Sequence, residues 1–438
     1  MHRAVAFVWM ALAVSACVAG DDGAVRAIKV EVIKTDNGYQ LLRGGEPYKI
    51  KGAGLEFGDI VSFASHGGNS IRTWTTENDV ETAQEVLDKA LANGVTVSVC
   101  LAMGAEHWGF DYDDPEAVAA QLERLRGEVL KYRDHPALLV WIIGNELNFD
   151  YTNSKVYDAV NDVAKMIKEL DPNHPTTTTI AGVKHQQSAL GDIATRATAV
   201  DFVSFQVYGE LAVLPQVIRD IDFEDPFFVT EWGAIGHWEM PKTSWGAPIE
   251  LTSSEKANVY LKGYRDNLEP LEGQQIGSYA FLWGQKQERT PTWFGMFTEA
   301  GEETETVDVM HYIWNDAWPD NRAPQLKSMR LDGKTAHQSV TLIAGASYEA
   351  VVDVFDPDED ALSYQWELKP ESSATQVGGD FEKSIASLDD LIERPTAANI
   401  RLAVPKAGEY RLFVYAYDDR GHAAHANIPL LVKNQALP

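Results

Sequence analysis

The chain predicts an α/β fold, a (β/α)8 TIM barrel followed by a C-terminal β-sandwich of immunoglobulin-like type. Three observations carry that expectation. From about residue 28 to 320, short β-branched runs alternate with longer amphipathic segments, as strands each followed by a helix would. Eight such strand runs fit into roughly 290 residues, a span suited to a closed barrel. Beyond Pro319-Asp-Asn-Arg-Ala-Pro324 the helical periodicity stops, and short alternating strands separated by turn residues take over.

Taken in order, a hairpin-like stretch from Ile28 to Tyr48 precedes the first barrel strand, Tyr48 to Gly54. Ser70 to Trp74 is the second and Val95 to Ala102 the third. Leu138 to Gly144 is the fourth, Thr176 to Ile180 the fifth and Phe202 to Tyr208 the sixth. Phe227 to Thr230 and Ile276 to Trp283 complete the set. Segments such as Asp79 to Ala92, Pro115 to Tyr132, Ser154 to Leu170 and Ser253 to Asn267 place apolar residues three and four apart, the spacing of one helix face. No glycine-rich dinucleotide fingerprint follows the first strand, which weighs against an open doubly wound sheet. In residues 325–438 the strands Ser339 to Ile343, Tyr348 to Val354, Leu362 to Leu368, Glu409 to Tyr417 and Asn427 to Val432 alternate inward and outward residues. The string Asp356-Pro-Asp358-Glu-Asp360, with Asp418-Asp419-Arg-Gly421, resembles immunoglobulin-like bacterial modules of the PKD or cadherin-like kind. Its aspartates are expected to form turns rather than a Ca²⁺ site, because Asp caps its own backbone.

With 438 residues, two domains are the first expectation. A content of 45% hydrophobic and 23% charged residues is that of a globular protein. The formal charge of −28 argues against nucleic acid and against an acidic membrane face, both of which require a basic surface. At the start, His2 and Arg3 precede an apolar stretch from Ala4 to Val14, too short to span a bilayer. It ends in Val14-Ser15-Ala16-Cys17, which resembles a bacterial lipobox. That resemblance implies a signal peptide over residues 1–16, lipidation of Cys17, a tether over 17–27, and a protein exported and anchored by lipid to the bacterial cell envelope; ordinary signal-peptide cleavage nearby, giving a secreted protein, is the alternative. Cys100, the other cysteine, ends an apolar run and reads as a buried strand residue.

Function lies at the strand tips, where the active site of a TIM barrel is built. The fourth strand delivers Asn145 and Glu146, and the seventh Glu231 and Trp232. Two carboxylates there suit retaining glycoside hydrolysis, in which one protonates the leaving oxygen and the other attacks the anomeric carbon. Around them the tips supply Arg72 and Trp74 (second strand), His107 and Trp108 (third), Tyr208 (sixth), and Trp283 and Gln285 (eighth). These residues are the expected substrate-binding set. An amide such as Asn145 can hold a sugar 2-hydroxyl, and aromatic rings suit the apolar faces of sugars. All the tryptophans except Trp366 precede the sandwich, many in the loops Gly233 to Leu251 and Trp283 to Glu303, which are long enough to wall a cleft.

Gly144-Asn145-Glu146 and Thr230-Glu231-Trp232-Gly233 resemble clan A glycoside hydrolases, and most of all the TIM-barrel catalytic domain of glycoside hydrolase family 2, over about residues 40–318. The resemblance implies that Glu146 is the acid/base and Glu231 the nucleophile. It also pairs Arg72 with the strand-two arginine of the clan, Tyr208 with its strand-six tyrosine and Trp283 with its strand-eight aromatic. Gln206 stands where an asparagine is more usual. The jelly-roll and sandwich domains that precede the barrel in typical family 2 enzymes have no counterpart here, so single-sugar specificity is not implied. The expected activity is a retaining β-glycosidase or transglycosylase on a neutral β-glucan-type oligo- or polysaccharide, without metal or organic cofactor. Rival readings are a non-catalytic glycan-binding lipoprotein, for which two intact carboxylates are superfluous, and a metal-dependent hydrolase. The second would want clustered histidines, yet His66, His107, His135 and His185 are scattered.

Overall fold

The computed structural model describes residues 26–435 apart from 56–57, 79, 375–378, 380 and 389. The signal segment expected at 1–16, Cys17 and all but the last two tether residues therefore lie outside the described residues. Among the described residues no helix is long and apolar enough to cross a membrane.

An antiparallel meander opens the fold, with β1 (Val30–Thr35), β2 (Gly38–Arg43) and β3 (Glu46–Pro47). Eight parallel strands then close into a barrel: β4 (Gly52–Gly54), β5 (Ser70–Arg72), β6 (Thr96–Leu101), β7 (Leu138–Ile143), β8 (Thr176–Ala181), β9 (Phe202–Gln206), β10 (Phe227–Gly233) and β11 (Gln275–Phe281). Their order around the barrel is their order in the chain, and β11 pairs back on β4 to close it. Helices α1 (Ile60–Ser65), α2 (Ala83–Ala92), α3 (Pro115–Tyr132), α4 (Lys155–Leu170), α5 (Gln187–Arg196), α6 (Leu214–Asp220), α7 (Ser253–Lys262) and α8 (Glu305–Asn315) follow successive strands. The first barrel strand is shorter than its sequence pattern, because Tyr48 turns away and donates its N–H to Leu41 O of the meander (2.9 Å).

Two features close the lower end of the barrel. Inside it, Tyr279 OH meets Ser70 Oγ (3.0 Å) and Ser98 Oγ (2.7 Å), so small polar side chains and one phenol satisfy each other. Beneath it, Val30, Leu41 and Ile50 pack on Val140, Phe202, Phe228 and Ile276 from the strand beginnings. Loops at the strand ends are left to build the cleft.

The C-terminal part comprises β12 (Gln325–Leu331), β13 (Val340–Ile343), β14 (Ser347–Phe355), β15 (Ser363–Pro370), β16 (Ile392–Glu393), β17 (Asn399–Ala403), β18 (Gly408–Tyr417) and β19 (Ala423–Lys433). They form two four-stranded sheets, β12-β14-β17-β16 and β13-β19-β18-β15. Trp366, Leu412 and Val414 share one core with Val352 and Ile400 of the other sheet. Asp356 Oδ1 accepts from the N–H groups of Asp358 and Asp360, and Asp418 Oδ1 from those of Arg420 and His422. Both aspartates thus cap turns.

A buried polar network locks this part to the barrel. Glu250, after β10, accepts from Lys256 Nζ (2.5 Å), Thr290 Oγ1 (2.6 Å), Thr292 Oγ1 (2.8 Å) and Asn427 Nδ2 (2.6 Å). Arg411 of β18 donates to Asn427 Oδ1 (2.7 Å), to Pro248 O (2.8 Å) and to both oxygens of Glu371 (2.7 and 3.0 Å). Burial alone would push the Glu250 carboxyl up, but the Lys256 charge and the converging donors bring it down to about 2.

Lys256→Ala leaves Glu250 buried without its cation, so a loss of about 3–5 kcal/mol is expected, read as a lowered unfolding midpoint in denaturant. An unchanged midpoint would show that the pair does not brace the two parts. Because Glu250 titrates below its ordinary value of 4.5, its stabilising effect is complete above that pH and disappears as the pH falls through about 2.

Candidate active site

The carboxylates reach the barrel mouth through two departures from regular backbone. After β7, Gly144 (φ 71°) and Glu146 (φ 50°) adopt left-handed conformations. A Cβ on Gly144 would also strike Leu147. A glutamate rarely adopts such a φ without support, and here Thr179 Oγ1 of β8 accepts the Glu146 N–H (2.8 Å). In β10 the pairing register slips between Val229 and Glu231 against β9, and between Val229 and Trp232 against β11. Such a bulge re-aims the side chain that follows it.

Glu231 is the acceptor on which the site converges. Its Oε1 receives Arg72 Nη1 (2.5 Å) and Trp74 Nε1 (2.8 Å), and its Oε2 receives Tyr208 OH (2.6 Å). Three donors and an acceptor-only carboxylate match in role. Arg72 is fully buried and also donates through Nη2 to Asn145 Oδ1 (2.9 Å), while Gln206 Nε2 donates to the same oxygen (2.8 Å). With Oδ1 taken twice, the Asn145 amide has its NH₂ to offer a ligand. Gln206 thereby orients Asn145.

Glu146 sits in a different environment. Burial pushes its carboxyl up, the Glu231 charge adds to this, and Arg72 opposes both; the result is about 8. Burial and the Glu231 charge also raise the Tyr208 hydroxyl well above its ordinary range, which keeps it a donor. Across the cleft, Glu288 meets His237 (3.2 Å) and Lys286 (2.8 Å). Burial resists its ionisation, but the His237 hydrogen bond and the Lys286 charge hold it below the ordinary value.

These groups line a cleft of about 890 Å³. Of the substrate-binding set expected from sequence, Trp74, Trp108, Asn145, Tyr208, Trp283 and Gln285 line it with both glutamates. Arg72 acts from beneath. His107 stands outside the lining, with its ring on Phe149 (4.8 Å) and Nδ1 near Asp150 (3.2 Å). Trp232 is a correction. It is 1% exposed and packs outward on Tyr260 and Tyr264, because strand alternation that turns Glu231 inward must turn its neighbour outward. Trp283 needs a partial correction: it borders the cleft, but its ring is buried against Phe63, Phe297 and Trp314. The ring in the cleft from β11 is Phe281, edge-on to Trp74 (5.6 Å) and Tyr208 (5.7 Å). Alternation from inward-facing Tyr279 was the signal that could have found it. Lys286 and Glu288, also missed, carried no local signal.

Glu106 and Glu210 are occupied structurally. Glu106 accepts from the N–H groups of Thr152 and Asn153, and Glu210 from those of Val183 and Lys184.

Residues 59–238 match the family model described as Glycosyl hydrolases family 2, TIM barrel domain. The matched stretch holds Arg72, Asn145, Glu146, Tyr208 and Glu231, so the chain carries a glycoside hydrolase family 2-like catalytic domain. In fold it is similar to Bacteroides uniformis beta-glucuronidase 2 covalently bound to cyclophellitol-6-carboxylate aziridine, at 13% identity and a TM-score of 0.52, over 93% of this chain and 48% of that one. A second structure, Bacteroides uniformis beta-glucuronidase, aligns at 12% identity and a TM-score of 0.50, with the same coverages. The chain spans about half the length of these two proteins. No curated protein matches it.

The electrostatics can be read directly. With the Glu146 side-chain carboxyl labelled with ¹³C, its titration midpoint should lie near 8 and fall in Glu231→Gln, where the neighbouring charge is gone. An ordinary carboxylate midpoint in the parent protein would contradict the arrangement described.

Proposed function

We propose that the chain is a retaining β-glycosidase acting on a neutral β-linked sugar chain, with Glu146 as acid/base and Glu231 as nucleophile. The observation that carries this reading is the unlike furnishing of two neighbouring carboxyls. In one, burial and the neighbouring Glu231 charge push the carboxyl up; the other is gripped by Arg72, Trp74 and Tyr208 as an acceptor. Environments that separate two carboxyls in this way assign acid and nucleophile. Glu146 gives its proton to the glycosidic oxygen as Glu231 attacks the anomeric carbon and the leaving sugar departs. The glycosyl–Glu231 ester is then opened by water, whose proton goes to Glu146, and both carboxyls return to their starting states. A sugar hydroxyl in place of water would make the same cycle a transglycosylation. Asn145 offers its NH₂ to the 2-hydroxyl, and Trp74, Tyr208 and Phe281 pack on the sugar. A protein that merely bound glycans would have no use for two carboxyls furnished so differently.

The test is product profiling on β-linked oligosaccharides, with NMR following the first anomer released. Retention is expected, and initial release of the α-anomer would sink the mechanism. Glu146→Ala should lower kcat/KM on sugar leaving groups by about 10²–10⁴-fold, and Glu231→Ala by at least as much. Near-parental turnover in either variant would refute the assignment. In the parent enzyme kcat/KM should fall as the pH rises above about 8, where Glu146 loses its proton, and Glu146→Gln should lack that limb.

Export as a Cys17-anchored lipoprotein belongs to the same reading, supported by the apolar stretch and the Val14–Cys17 string. Cys17→Ala should move the protein out of the membrane fraction; unchanged fractionation would refute the anchor.

A further inference from the structure

One residue of the cleft lining, Gly379, comes from the sandwich rather than from the barrel. After β15, Glu371 is held through both its oxygens by Nε and Nη2 of Arg411. Eleven positions further along the chain Glu382 is clamped in turn (382 − 371 = 11). Its Oε1 accepts from Ser372 Oγ (2.5 Å) and Gln287 Nε2 (3.3 Å), and its Oε2 from the Arg289 N–H (2.7 Å). The Arg289 guanidinium returns a hydrogen bond to Ala374 O. Gln287 and Arg289 flank Glu288, which lines the cleft with Lys286. Gly379 lines it too, and a Cβ there would lie 3.5 Å from Lys286 Nζ.

Beside the clamp stands Phe381, with 93% of its surface exposed. A single exposed apolar residue is ordinary on a protein surface. This one differs in its place: it is two positions from a residue that lines the cleft and adjacent to a carboxylate anchored on the loop forming that lining. Two other large exposed aromatics, Trp108 (61%) and Trp238 (43%), border the same cleft. We propose that the sandwich supplies a distal subsite to the barrel, in which Phe381 is the platform for a sugar unit several positions from the bond that is cut. The apolar face of a pyranose would cover the ring, which buries large area and freezes few torsions. The proposal rests on the glycosidase reading, and it deepens that reading by assigning a chain of several units as the substrate class. Glu382 is then a positioning residue, which holds the platform without touching sugar.

The test compares the parent, Phe381→Ala, Phe381→Trp and Glu382→Ala on cello-, laminari- and manno-oligosaccharides of increasing length, and on nitrophenyl monoglycosides. Phe381→Ala should raise KM about fivefold on the longer chains with kcat unchanged, while chains too short to reach the platform behave as in the parent. Phe381→Trp should restore the longer chains, and Glu382→Ala should reproduce part of the loss. A loss equal on short and long substrates, or no loss on either, would overturn the proposal. Calorimetric titration of Glu231→Gln with the same chains separates it from the reading beneath it. Affinity that rises with length and depends on Phe381, in a protein whose parent has no turnover, would defeat the glycosidase and keep the subsite. Turnover with no dependence on Phe381 would do the reverse.

Discussion

The Arg72 guanidinium is the constraint on which the site depends. It is wholly buried at the end of β5, and a buried cation without a partner is strongly destabilising. Its partners come from elsewhere in the barrel: Glu231 from β10 and Asn145 from the turn after β7. Closing the barrel in this register brings the three together, so the demands of folding and the geometry of the site coincide. The same charge bears on Glu146, where it tempers the upward push of burial and of Glu231. A single side chain therefore bears on both the acidity of one carboxyl and the orientation of the other.

A second buried network does for the loops what Arg72 does for the strand tips. Glu250 gathers Lys256, Thr290, Thr292 and Asn427, and so ties the loop after β11 to β19 of the sandwich. That loop also carries Lys286 and Glu288 into the cleft. Loops over a cleft are otherwise the most mobile parts of a barrel. Here desolvated charges, satisfied on every side, hold one in place. The sandwich is thus a brace for the catalytic face, whatever else it does.

Much of this was legible in the sequence. Short runs rich in apolar and aromatic residues, such as Leu138 to Ile143 and Phe202 to Gln206, read as buried parallel strands, and acids placed after them fall at the barrel mouth. Tyr208, Trp74 and Asn145 follow from the same count. The miss at Trp232 came from reading strand tips as clusters of residues without applying alternation, which allows one of two neighbours to face inward. The eighth strand offers two rings, Phe281 and Trp283, and only packing distinguishes them: Trp283 is buried among Phe63, Phe297 and Trp314, which leaves Phe281 to the cleft.

What the sequence by itself determined is the barrel, the sandwich and the two strands that present the carboxyls, since each follows from periodicity and composition within a short window. Tertiary structure alone decided that burial and the Glu231 charge push the Glu146 carboxyl up, that Gln206 orients Asn145, and that Lys286, Glu288 and Gly379 line one cleft. The reason is physical. Strand and helix patterns are local, whereas desolvation and charge coupling depend on groups brought together from distant parts of the chain, and no window of residues contains them.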